Sequence, residues 1–211
     1  MRRYTFIRLM HQAIKPDDVA IFVGDDVCRE AHLHDRPGNL YLSDNDDYML
    51  SLVLGVTLNT KLNVFVFCED SYLIRNLSEL AQMAVSKLVN LRVVVYNSKV
   101  YLDKPFLHNI MGSVTNPHGL FFNMGFKVHD YSKSFNRQRN PLKELEGYWN
   151  TVVGPVIVLM NIQESNKKFD AVPEERVKDF RGLNEFIVMN SVVDEEEQIE
   201  RNVLDLSNKE D

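Results

Sequence analysis

One segment, Leu62 to Tyr101, leaves this chain little choice of fold. Asn63 to Phe67 is a short apolar run of β-branched and aromatic residues, which predicts a buried strand. Leu77, Leu80, Ala81, Ala84, Val85 and Leu88 recur at three- and four-residue steps, the period of a helix with one apolar face. Leu91 to Val95 reads as a second buried strand. A strand, a helix and a strand of this length predict a βαβ unit, with parallel strands and a right-handed crossover. Ligands of such sheets lie beyond the carboxyl ends of the strands. Here those ends are Cys68-Glu69-Asp70-Ser71 and Tyr96-Asn97-Ser98-Lys99. A carboxylate after one strand, with amide or hydroxyl oxygens after the next, is a donor set for a hard cation such as Mg²⁺.

The flanking sequence repeats the alternation. Arg3 to Ile14 has helical spacing, Val19 to Val23 reads as a strand, Val27 to Leu33 as a helix and Leu40 to Leu42 as a strand. Tyr48 to Leu58 is apolar all round and reads as a buried helix. Lys99 to Asn116 reads as irregular. Helices follow over Pro117 to Met124 and from Pro141 to about Val152, and strands over Phe126 to Tyr131 and Val156 to Ile162. The pattern predicts an α/β fold, a three-layer α/β/α sandwich around a mostly parallel sheet. The expected division is a domain over residues 1–162, an extension over 163–193 that packs on it, and an acidic tail over 194–211.

Charge and composition narrow the function. The 211 residues carry a net charge of −6. Asp194 to Asp211 holds eight acids against Arg201 and Lys209, also −6, so the body is near neutral and gives no nucleic-acid signal. No apolar run is long enough for a membrane span, so none is expected. Two cysteines, Cys28 and Cys68, fit a reduced, cytoplasmic setting. The histidines show no ligand spacing, and Ser71 has no histidine–aspartate arrangement around it in sequence, so no catalytic residue is assigned.

Glu69-Asp70-Ser71, a helix and a strand, then Asn97-Ser98, resemble the diphosphate-binding domain of thiamine-diphosphate enzymes, whose hallmark is Gly-Asp-Gly followed by Asn-Asn. Arg29-Glu30, Arg36-Pro37-Gly38-Asn39-Leu40-Tyr41, Gly125-Phe126 and Gly154-Pro155 extend the resemblance over roughly Met1 to Ile162. They look like the small subunit of sulfopyruvate decarboxylase and the matching domain of phosphonopyruvate decarboxylase. The resemblance implies thiamine diphosphate with Mg²⁺, the metal held by Asp70 and by Asn97 or Ser98. It implies cofactor contacts at Asp44, Asn45, Asp46, Glu69, Asp70, Ser71, Asn97 and Ser98. It further implies a 2-oxo-acid decarboxylase subunit completed by a separate pyrimidine-binding subunit, or a homo-oligomer.

The departures point elsewhere. Both glycines of the first motif are side chains here, Glu69 and Ser71, and these obstruct the approach of a phosphate to backbone amides. The loop expected to support the cofactor is Asp44-Asn45-Asp46-Asp47, with Asp46 at the apolar position. Like charges some 6 Å apart repel by roughly 1–3 kcal/mol, so the acids of this loop, with Glu69 and Asp70, oppose a diphosphate. The alternative expectation is a non-catalytic relative that keeps the fold in a structural or regulatory role.

Overall fold

The computed structural model describes residues 2–43, 48–97, 100–101, 104–108, 117–131, 141–161 and 169–191. In chain order these form α1 (Arg3–Ala13), β1 (Val19–Val23), α2 (Asp25–His32), β2 (Asn39–Leu42), α3 (Met49–Leu58), β3 (Val64–Glu69), α4 (Asp70–Arg75), α5 (Leu77–Val85) and β4 (Leu91–Asn97). Then come β5 (Val100–Tyr101), β6 (Lys104–His108), α6 (Pro117–Met124), β7 (Lys127–Asp130), α7 (Pro141–Thr151), β8 (Val156–Asn161), a short 3₁₀ turn (Glu174–Arg176) and α8, residues 180–191. Six strands form one parallel sheet in the order β2-β1-β3-β4-β8-β7. The two strands that dominated the sequence are neighbours in it, with Val64 opposite Leu91 and Glu69 opposite Tyr96.

Side chains alternate across the sheet, and both faces are covered. Val64, Val66 and Cys68 pack beneath α3, α5, α6 and α8, whereas Phe65 and Phe67 pack beneath α1, α2 and α7. Burial on both faces explains why these strands read as unbroken apolar runs. The result is the expected three-layer α/β/α sandwich. Arg92 ties one layer to the sheet. The residue is 5% exposed, and its guanidinium donates to the carbonyls of Trp149 and Val152, at the end of α7, and of Gly154, Val89 and Leu91. Backbone carbonyls at a helix end thus replace the carboxylate that a buried arginine would otherwise need.

Three local readings are corrected. The single helix expected between β3 and β4 is two, α4 and α5, broken at Asn76, where the backbone leaves helical angles (φ −117°, ψ 43°) and the side-chain amide donates to the Tyr72 carbonyl. The stretch after Lys99 contains an antiparallel hairpin, β5 with β6, with Pro105 inside β6. Helix α3 is buried on one side only: Met49, Leu50, Val53 and Thr57 face the core, while Leu58 is 60% exposed.

Residues 169–191 fold back onto the sheet. Val177 bridges Tyr41 in parallel, and the Lys178 amide donates to the Tyr41 carbonyl, on the outer edge of β2. Arg176 grips Asp35 through two hydrogen bonds of 2.6 and 3.0 Å. Leu183 and Phe186 of α8 enter the core, and Phe186 lies against Gly38, whose φ of +83° and lack of a side chain make room for the ring.

Candidate functional site

The chain leaves β1 toward one face, into α2, and leaves the adjacent β3 toward the other, into α4. Opposite departures from neighbouring strands open a crevice at their carboxyl ends, the usual ligand position of such sheets. Gly24 forms its first wall. Its φ is +101°, its amide donates to the Leu42 carbonyl, and a side chain there would meet the Tyr72 ring at 3.4 Å. Tyr72 itself is buried, with the Arg75 guanidinium 4.9 Å from its ring centre. Burial pushes its phenol up to about 12.

The second wall is charged. Arg3, at the start of α1, is 2% exposed. Its Nε and Nη2 donate to the two oxygens of Glu30 at 3.1 and 3.2 Å, and its Nη1 donates to Glu69 at 3.0 Å. Asp26 lies 3.4 Å from Nη2. One guanidinium therefore faces three carboxylates. Burial lowers the Arg3 pKa, but these partners outweigh it and hold it above its ordinary value. Burial likewise pushes the Glu30 carboxyl up, against the pull of Arg3. A guanidinium does not surrender its proton, so the pair is an ion pair at neutral pH. Tyr96, opposite Glu69 in the neighbouring strand, is fully buried, and its hydroxyl has no hydrogen-bond partner among the described residues; burial holds its phenol well above the ordinary value.

Of the residues marked in the sequence, Glu69 and Asp70 are placed with their side chains. Glu69 is committed to Arg3. Asp70 opens α4 and is 1% exposed. The register carries Asp70 and Asn97 one step past the Glu69–Tyr96 pair. The side chains of Ser71 and Asn97, and all of Asp44, Asn45, Asp46, Asp47 and Ser98, lie outside the described residues. Among the described residues no three candidate ligands gather around a metal position. No described helix is long and apolar enough to cross a membrane. Cys28 and Cys68 are not joined in a disulfide; both are buried, on opposite faces of the sheet, and the Cys28 thiol donates to the Phe22 carbonyl.

Sequence reasoning missed Arg3, Asp26 and Glu30, although a signal for two of them existed. Arg3 falls on the stripe that α1 buries with Phe6, Ile7, Met10 and Ala13, and Glu30 on the stripe that α2 buries with Val27, Cys28 and Ala31. A charge on a buried stripe must find an opposite charge.

No family model matches the chain, and no curated protein matches its sequence. Solved structures do match its fold. A candidate thiamin diphosphate-dependent enzyme from Mycobacterium smegmatis superposes with a TM-score of 0.60 at 12% identity, covering 78% of this chain and 32% of its own. Transketolase from Leishmania mexicana superposes with a TM-score of 0.55 at 11% identity, covering 88% of this chain and 39% of its own. The chain thus has the fold of part of such enzymes and spans about a third of their length.

Proposed function

We propose that this chain is a non-catalytic relative of the diphosphate-binding domain of thiamine-diphosphate enzymes, retaining its sheet as a structural or regulatory interaction module. One observation carries the reading. Glu69 stands where the resemblance expects a glycine, and its carboxylate meets Arg3 at 3.0 Å in the crevice beyond β1 and β3. The residues there do not fit a diphosphate. Asp26, Glu30 and Glu69 outnumber the one guanidinium they share, and the glycine that would let a phosphate reach the backbone is gone. The residues that would polarise the cofactor, orient a substrate or move a proton are not assigned on this chain, and no reaction step is derived for it.

The second reading is a shared-site subunit. In it Asp70 and either Asn97 or Ser98 hold Mg²⁺, and a pyrimidine-binding subunit completes a 2-oxo-acid decarboxylase. The adjacency of β3 and β4, with Glu69 opposite Tyr96, favours it. Both readings include association with a second copy or with such a subunit. The half-exposed apolar helix α3, preceded by Tyr48 at 51% and ending on Leu58 at 60% exposure, supports that.

Calorimetry of the intact chain with thiamine diphosphate and Mg²⁺ decides between them. No uptake at millimolar ligand is the expected result. Mg²⁺-dependent binding that Asp70→Ala abolishes would establish the second reading instead. Light scattering at micromolar concentration tests association, and a monomer that recovers no partner would remove that part.

A further inference from the structure

The end of the sheet away from the crevice has the opposite character. Leu58 closes α3, Val85 closes α5, Val89 follows α5, Phe122 stands near the end of α6, and Val153 precedes β8; each is more than half exposed. Contacts between the helix ends draw them together. The Asn90 side-chain amide donates to the carbonyls of Thr57, Thr60 and Leu62, which holds the turn carrying Val89 against the end of α3. A methyl at Gly125, just past α6, would meet the Ala84 side chain at 3.8 Å, so the end of α6 lies against the end of α5. The Lys127 amide donates to the Pro155 carbonyl, which brings Val153 to the same margin. The connections into β3 and β4 and the first residue of β7 supply Lys61, Lys87 and Lys127, all exposed, and no acid. Ahead of β1 the charges change, and Asp17 and Asp18 with Lys15 bound the patch on that side. Single exposed apolar side chains are ordinary, but five along the margin of the neighbouring strands β3, β4, β8 and β7 form a patch that needs a cover.

We propose that the cover is the chain's own acidic tail, residues 194–211, docked on this patch. The tail lies outside the described residues, and its sequence is the complement of the patch. Its eight acids, against Arg201 and Lys209, meet three lysines that have no acid among them. Ile199, Val203 and Leu206 follow at steps of four and three, the spacing of one helix face, and supply the apolar contact. The chain also delivers the tail to this end. Val177 pairs with Tyr41, and Phe186 further on lies against Gly38 ahead of β2, so α8 runs toward the amino end of the sheet and stops there at residue 191. From β2 to β4 is three strand spacings, about 14 Å. The stretch from Ser191 to Ile199 reaches up to roughly 26 Å. The other end of the sheet repels the tail, because Asp26, Glu30 and Glu69 already outnumber Arg3 there. The inference goes beyond the non-catalytic reading and does not rest on it, since patch and crevice lie at opposite ends of the strands.

The test places a nitroxide on the tail of the full chain, through Ser207→Cys, and reads methyl resonances by NMR. Cys28 and Cys68 are fully buried, so the label goes to the introduced thiol. The signals of Leu58, Val85 and Val89 should lose most of their intensity and regain it when ascorbate reduces the label. Leu77, at the far end of α5, should stay sharp. High salt should restore much of the lost intensity, because it screens exposed charges. At low salt the Val85→Ser/Phe122→Ser variant should restore Leu58 and Val89, and so should Lys61→Glu/Lys87→Glu/Lys127→Glu. All five substituted side chains are exposed, so neither variant touches the core. Sharp Leu58, Val85 and Val89 signals in the labelled chain overturn the inference. Broadening that neither set of substitutions relieves overturns it as well. Broadening that arises only when the label and the isotope sit on different molecules shows a tail docked on a second copy, and it overturns docking within one chain.

Discussion

Acidification should destabilise this protein through His11, on α1 far from the crevice. The His11 ring stacks on Phe22, with centroids 5.3 Å apart and planes 10° apart. Burial comes first, then Arg36 and His34, in lowering its pKa from 6.5 to about 4, while Asp35 pulls weakly the other way. The unfolded chain therefore takes up a proton near pH 6.5 and the native protein only near pH 4. Stability from this group is complete above pH 6.5 and is lost as pH falls toward 4. At 1.36 kcal/mol per pH unit, the gap amounts to ~3.4 kcal/mol in full. About 2 kcal/mol of it is gone by pH 5. Urea titrations at pH 7.5 and pH 5, on wild type and on His11→Phe, isolate the effect. Phenylalanine keeps the stack and cannot titrate, so the variant should gain about 2 kcal/mol on wild type between the two conditions. An unchanged difference between the two proteins would refute the assignment of a neutral, half-buried His11.

Further outcomes are expected elsewhere. Arg92→Met leaves the carbonyls of Trp149, Val152 and Gly154 without their donor and should lower unfolding free energy by about 3 kcal/mol in urea. Gly38→Ala places a methyl 2.6 Å from Phe186 at a φ of +83°. That substitution should cost about 2–3 kcal/mol and speed proteolysis within residues 169–191. Cys28 and Cys68, both fully buried, should resist a thiol reagent in buffer and react completely in urea, with no disulfide forming between them under oxidant.

The sheet was legible because burial on both faces writes itself as apolar runs, and Val64 to Cys68 and Leu91 to Val95 could hardly be anything else. The βαβ geometry then fixed which strand ends meet. The break at Asn76 was not legible, since Leu77 to Leu88 keeps a helical period through α5 and only a side-chain hydrogen bond to Tyr72 marks the interruption. The site was half legible. Glu69 and Asp70 were located by strand ends alone, but the partner of Glu69 is 66 residues away in sequence. Arg3 meets Glu69 because α1 begins at the carboxyl end of the sheet, a relation no local spacing encodes. The reading of α3 as buried failed for a related reason: an apolar helix tells how much surface it offers, and the neighbours decide how much is covered.

The bridge from Val177 to Tyr41 bears on the order in which the chain is made. Strand β2 is synthesised early, and its outer edge stays open until roughly 135 further residues have left the ribosome; nascent domains fold from the amino end at about 5–20 residues per second. For several seconds the Tyr41 carbonyl that Lys178 will later cover is a free hydrogen-bonding edge, the kind other chains pair with. A nascent chain arrested before residue 177 has no means of closing it. Premature termination between residues 161 and 177 would therefore release a complete six-stranded sheet with a sticky margin, and demand for chaperones should peak on those products rather than on shorter fragments that never complete β2, β1 and β3 together.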